Sequence, residues 1–219
     1  MVEKRAHMSD ARGEVLDRIQ AALASRPQPE PVARRYRRGG SRSSDERVEL
    51  FCSRVREYRA EVQRVGAAEI GATVTAVCLA RGISRLLVPP ELPPPWRPGE
   101  VELVEDRELD PRELDAVGAV LTGCTLAIAE TGTIALTSRP HEGRRALTLV
   151  PDVHLCVVEE EQILELVPEA IARLHTLVAD ERRPVTLVSG PSATADIEFS
   201  RVEGVHGPRT LIVLVAGGL

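Results

Sequence analysis

Two loops carry the side chains best suited to chemistry. The first is Glu130-Thr131-Gly132-Thr133, a carboxylate and two hydroxyls around a glycine, set between the apolar runs 125–129 and 134–136. A carboxylate placed there can act as base, nucleophile or hydrogen-bond acceptor. The same residues also suit a hairpin turn whose polar groups satisfy their own backbone. The second loop, 189–198, reads Ser-Gly-Pro-Ser-Ala-Thr-Ala-Asp-Ile-Glu and is followed by Gly204-Val205-His206-Gly207-Pro208-Arg209. Its Ser192 and Thr194 hydroxyls, with backbone N–H groups past a strand end, can hold phosphate or carboxylate. Asp196 and Glu198 disfavour an anion unless Arg201 or Arg209 offsets them. His206 and Arg209, beside Gly207, suit an acid or phosphate group. Glu130 is thus the candidate catalytic residue. Thr131, Gly132, Thr133, Gly190, Ser192, Thr194, Asp196, His206, Gly207 and Arg209 are the candidate ligand contacts. The alternative for the second loop is a capped turn that joins two elements.

Several known chemistries do not fit. Neither loop has the lysine of a Walker phosphate loop or the glycine triplet of a dinucleotide fingerprint. Ser192 is not in G-x-S-x-G, so a hydrolase elbow is unsupported. Cys52, Cys78, Cys124 and Cys156 are far apart among apolar neighbours, with no C-x-x-C. They read as buried free thiols in a reducing, cytoplasmic setting rather than as ligands of a metal or cluster. His154 sits in a strand-like run and reads as a satisfied core histidine, while His7, His141 and His175 read as surface residues. No cofactor or metal is expected from these spacings.

Positioning such loops requires a scaffold. The chain has 219 residues, enough for one full core, and is 43% hydrophobic but only 2% aromatic. A core of Val, Leu, Ile and Ala suits buried parallel strands under helices. The net charge of −5 argues against nucleic acid as the main partner, and no apolar run is long enough to span a bilayer. Residues 1–10 are polar and are no signal peptide, and Met8 offers an alternative natural start. Residues 10–24 have the spacing of an amphipathic helix, with Val15, Leu16, Ile19 and Leu23 on one side. Residues 25–43, with Pro27, Pro29, Pro31, Gly39-Gly40 and arginines 34, 35, 37, 38 and 42, form a linker or arm. The arginines suit a phosphate or an acidic partner surface, or simple solvation.

Ser43-Ser44-Asp45-Glu46 is a capping box that opens a helix to about Arg59, with Val48, Phe51, Val55 and Tyr58 as its buried stripe. A short strand to Gly66, a helix over 67–80 stopped by Gly82, and a strand over 85–88 follow. Residues 89–99 hold six prolines and Trp96, an extended surface loop whose indole lies over a core edge. Strands are expected at 101–104, 145–150, 154–158, 185–189 and 210–215, and a brief helix at 111–117. Residues 125–136 read as a hairpin, and 159–178 as helical in period with a break at Pro168. The expected fold is a single α/β domain, residues 44–219, with a mixed, mostly parallel sheet covered by helices. Residues 1–43 form its N-terminal helix and linker.

Taken together, Ala129–Thr133, Pro151-Asp152-Val153-His154, residues 189–198 and 204–209 resemble the lactate utilisation protein C family, which carries a LUD domain. The resemblance spans about residues 44–215. It implies a NagB/RpiA/CoA-transferase-like fold and a part in oxidising L-lactate to pyruvate beside iron–sulfur partner proteins. This chain lacks the cysteine-rich cluster motifs of the larger LUD-containing partner, so the resemblance implies the small subunit. It transfers no catalytic residue. Two readings stand: an accessory, non-redox subunit of such a complex, or a self-sufficient enzyme or binding protein. The latter would take a small carboxylate, phosphosugar or CoA ester at the Glu130 and Ser192/His206 loops. Self-association is compatible with both.

Overall fold

The computed structural model describes residues 3–24, 32–33, 35–194, 202–203 and 207–218. Contacts divide the chain into Met1–Tyr36 and Arg37–Leu219. The first unit is helix α1, Glu3–Ala22, whose Val15, Leu16, Ile19 and Leu23 are exposed. The second begins with 37–43, tied down by carboxylates: Glu169 accepts from the Gly40 N–H and Glu165 from those of Ser41 and Arg42.

Helix α2, Ser44–Glu57, starts at the expected capping box, with Ser43 and Glu46 exchanging bonds. It leads to β1, Glu61–Gly66. After a 3-10 turn comes α3, Ile70–Ala80, then β2, Arg85–Val88, and β3, Glu102–Glu105. Helix α4, Pro111–Val117, is capped by Asp110 and stopped at Gly118. Strands β4, Ala119–Thr122, β5, Leu126–Ile128, β6, Thr133–Leu136, and β7, Val153–Glu159, follow. Then come β8, Ile163–Leu164, α5, Val167–Glu181, and β9, Thr186–Val188. The short pair β10, Ala193–Thr194, and β11, Val202–Glu203, precedes β12, Thr210–Gly217.

The main sheet has the order β1-β12-β7-β4-β2-β3 and every pairing is parallel. Its strands are apolar on both faces, as burial between two layers demands. On one face Leu86, Leu121, Leu155, Ile212 and Leu214 meet α3 and Trp96. On the other, Cys156, Val158, Val213 and Val215 meet Val48, Phe51 and Val55 of α2. That same cluster includes Ala127, Ala129, Ile134 and Leu136 from a second sheet, β8-β5-β6-β9. Helix α5 closes the far side of the second sheet through Ala170 and Leu174. The α/β class and mostly parallel pairing are as expected, with the antiparallel pairs β5–β6 and β6–β9 in the second sheet and β10–β11 in a two-stranded ribbon.

Four local expectations need correction. Residues 145–150 are no strand: Arg145–Thr148 is a 3-10 turn, closed by the Arg145 guanidinium on the Thr148 carbonyl and hydroxyl. Leu147 is thereby buried against Leu87, Leu114 and Val120. Ile163–Leu164 is not helical but pairs with β5, and the helix starts only at Val167. Tyr58 leaves the buried stripe, because it forms the end of α2 and is 38% exposed. Central strand β4 was missed: its four residues lie between two glycines, too short a run to separate from the helix before it. Trp96, by contrast, is buried at the core edge as read.

Candidate functional site

The first loop is the β5–β6 turn, with Ile128 opposite Thr133. Gly132 has φ 60°, and a Cβ there would lie 2.8 Å from the Arg54 carbonyl carbon and 2.9 Å from the Val55 nitrogen. The turn therefore presses on the backbone of α2, and glycine is needed for both the dihedral and the approach. Thr131 and Thr133 are hydrogen-bonded through their hydroxyls at 2.7 Å, and Thr133 reaches the Ser189 hydroxyl at 2.9 Å. This chain of hydroxyls joins the two loops at their bases. Glu130 points elsewhere: its carboxylate accepts from Arg37 at 2.5 Å, with side chains 41% and 60% exposed. A pair this open to water contributes little energy.

In the second loop Gly190 is buried at φ 77°, with Tyr58 packed against its Cα. The Ser192 N–H donates to the Pro208 carbonyl at 2.8 Å, which pins the loop's two ends together. Thr194 lies on β10 opposite Val202. Arg209 is exposed and sits 3.5 Å from Asp152. Asp196 and His206 lie outside the described residues. Ser189, Gly190, Ser192 and Gly207 line a cavity of about 230 Å³ together with Arg145, Thr148 and His154. Its place follows from register: His154 and Leu211 are the second residues of adjacent strands β7 and β12. The cavity thus opens at the amino-terminal edge of the parallel sheet. Glu130, Thr131 and Thr133 are not among its described lining.

A buried polar line runs back from the cavity. The His154 Nε2 and the Thr122 hydroxyl are 2.8 Å apart, so His154 is the satisfied core histidine expected. Cys156 lies beside both. A hydrogen bond from Cys124 lowers its thiol, against the opposing effect of burial, with His154 and Thr122 assisting. The Cys124 thiol is raised well above its ordinary value by the same contact and by burial, and its sulfur lies 3.3 Å from Gln162 Oε1. Burial alone pushes Cys78, across the main sheet, up to about 11. All four cysteines are buried. Among the described residues no three His, Cys, Asp or Glu side chains are grouped to hold a metal ion.

Three polar residues went unrecognised in the sequence. Glu142, only 1% exposed, accepts from the Thr137 and Arg139 N–H groups and from the Thr125 hydroxyl. Glu165, 3% exposed, accepts from Arg42 and the 41–42 backbone, and the Arg42 N–H does most to hold its carboxyl below the ordinary range. Arg145 had only its basic neighbour Arg144 as a signal. Burial lowers its guanidinium, and among the described residues no carboxylate pairs with it.

Comparison with known proteins matches residues 48–216 to the LUD domain. A protein of Deinococcus radiodurans named Lactate utilization protein C is 45% identical, over 95% of this chain and 97% of its own length. Its namesake in Shouchella clausii is 34% identical over 47% of this chain and 44% of its own. The crystal structure of a DUF162 family protein from Deinococcus radiodurans superposes with a TM-score of 0.70 at 37% identity. It covers 81% of this chain and all of the other. The fold and the match along nearly the whole chain agree: this protein belongs to the LUD domain family.

Proposed function

We propose that the chain is an accessory, non-redox subunit of a system that oxidises L-lactate to pyruvate with iron–sulfur partner proteins, working in the cytoplasm. The observation that carries this reading is the whole-length likeness to the Deinococcus protein named Lactate utilization protein C. The cysteines support it. Cys78 packs on one face of the main sheet and Cys52, Cys124 and Cys156 on the other, so the four cannot converge on one cluster. Electrons taken from lactate would pass through the partners. In a native host, tagged chain should recover iron–sulfur proteins, and deletion of its gene should abolish growth on L-lactate. A chain recovered alone from a strain whose deletion still grows on lactate overturns the reading.

A second reading is a self-sufficient enzyme or binder of a carboxylate, phosphosugar or CoA ester at the Glu130 and Ser192/His206 loops. The Thr133–Ser189 hydrogen bond favours it by joining those loops. The outward pairing of Glu130 with Arg37 weighs against Glu130 as its base. Turnover of any such substrate by the purified chain, lost in Glu130→Gln, would establish this reading over the first.

A further inference from the structure

Among the described residues, the lining of the cavity at the amino-terminal edge of β7 and β12 includes a cation and no carboxylate. Its described lining offers the Arg145 guanidinium, the His154 imidazole, the hydroxyls of Thr148, Ser189 and Ser192, and no carboxylate. Arg145 is oriented by its own turn: Nη1 donates to the Thr148 carbonyl and hydroxyl, each at 2.8 Å. Among the described residues Nε and Nη2 have no acceptor. That leaves one edge of a rigid fork, whose geometry matches the two oxygens of a carboxylate. Arg145 is exposed, so that edge is open to a ligand, and an anion placed on it gains charge-assisted hydrogen bonds.

Ligands in open parallel sheets usually bind at the carboxyl ends of strands, so the clefts there are the natural rivals. Neither invites an anion. At the ends of β2 and β3, Arg144 holds Asp106 through two bonds, Arg107 pairs with Glu105, and Arg183 with Glu181. The cleft beside Gly217 is lined by Glu159, Glu160 and Glu161, which repel an anion.

We propose that the Arg145 cavity binds a small monocarboxylate, with the guanidinium on its carboxylate and the Ser189 hydroxyl on a neighbouring oxygen. A single guanidinium in the described lining favours a monoanion over the dianion of phosphate. At about 230 Å³ the space falls below the roughly 300–1,000 Å³ of sites for drug-sized ligands, which selects acids of a few carbons such as lactate or pyruvate. The inference does not rest on the partner proteins, so it refines the lactate reading and is tested apart from it.

The test is calorimetric titration of the full chain with sodium L-lactate, pyruvate, acetate and inorganic phosphate at matched ionic strength. One-site binding of a monocarboxylate is expected, weakened at least about tenfold in Arg145→Gln, as loss of a charge-assisted hydrogen bond implies. Arg145→Lys should retain part of it, and Arg112→Gln, on the exposed side of α4, all of it. Arg145 closes a surface turn, so thermal melting should show both Arg145 variants folded. The assignment is overturned if no carboxylate binds up to about 10 mM, tenfold above the usual upper range of substrate KM. It is equally overturned if phosphate binds in preference, or if Arg145→Gln leaves affinity intact. Failure here with successful recovery of iron–sulfur partners would remove the cavity assignment and leave the accessory reading standing.

Discussion

Replacing Gly132 by alanine tests whether the family-marking turn is held by its contact with α2. Two effects add. An L-residue at φ 60° costs about 1–2 kcal/mol. The new Cβ also lies 2.8 Å from the Arg54 carbonyl carbon and 2.9 Å from the Val55 nitrogen. These are helix backbone atoms, which cannot swing aside as the end of a side chain can, so overpacking adds about 1–3 kcal/mol. The total is about 2–5 kcal/mol, or a fall in Tm of roughly 4–20 °C for a domain of this size. Gly82 isolates the first effect: its φ is 68° and nothing lies within 4 Å of its Cβ position. Gly82→Ala should therefore lose only about 1–2 kcal/mol, or roughly 2–8 °C. Urea unfolding at 25 °C and thermal melting of the three proteins would measure both. If Gly132→Ala proves no less stable than Gly82→Ala, the turn does not press on α2, and the account of this motif fails.

Three further outcomes are expected. Glu142→Ala removes a buried acceptor from two backbone N–H groups and the Thr125 hydroxyl. Unfolding free energy should drop by about 2–4 kcal/mol, and a loss under about 0.5 kcal/mol, typical of an open surface site, would contradict this account of the loop. Ellman's reagent at pH 8 should leave native protein unlabelled and modify four thiols after denaturation, since all four cysteines are buried. Prompt labelling of one thiol would show that its cluster opens. Glu165 is held below its ordinary value of 4.5, chiefly by the Arg42 N–H. A carboxyl lowered in the folded state stabilises above its unfolded value and ceases to do so as pH falls through the folded one. The Ser41 and Arg42 amide signals should therefore titrate together below pH 4.5 in NMR spectra, and an inflection at or above that value would exclude the bond.

What could be read from sequence divides by the range of the interaction responsible. Strands β7 and β12 announce themselves because both faces are buried, leaving unbroken runs such as Leu211–Val215. The starts of α2 and α4 are equally plain, since Ser43 with Glu46 and Asp110 with Glu113 close their caps within three residues. The 3-10 turn at Arg145 was hidden: Ala146 to Val150 is apolar enough for a strand, and what decides is one guanidinium bonding three residues ahead. Likewise Ile163 keeps helical spacing with α5, yet its backbone is claimed by Ala127 from 36 residues earlier. The site shows the same limit. The composition of both loops was visible, but not that Thr133 meets Ser189 56 residues on, nor that Arg145 would complete the cavity.

The residues that mark the family and those that could bind a ligand turn out to be largely different sets. Gly132 and Gly190 have sufficient structural reasons, since each lets a turn approach the end of α2, at Arg54–Val55 and at Tyr58. Thr133 is 6% exposed and bridges two loops, and Glu130 forms an open ion pair. None of these needs a substrate to explain it. Arg145 differs in that its hydrogen bonds to Thr148 close a turn and also leave one edge of its guanidinium without an acceptor among the described residues. A motif recognised by its pattern mixes positions that hold the scaffold with positions that meet the ligand. A guanidinium edge that the turn leaves free beside a cavity helps to separate the two. By that criterion the chemistry of this protein is to be sought at Arg145, with the Gly190 turn as part of the wall of its cavity.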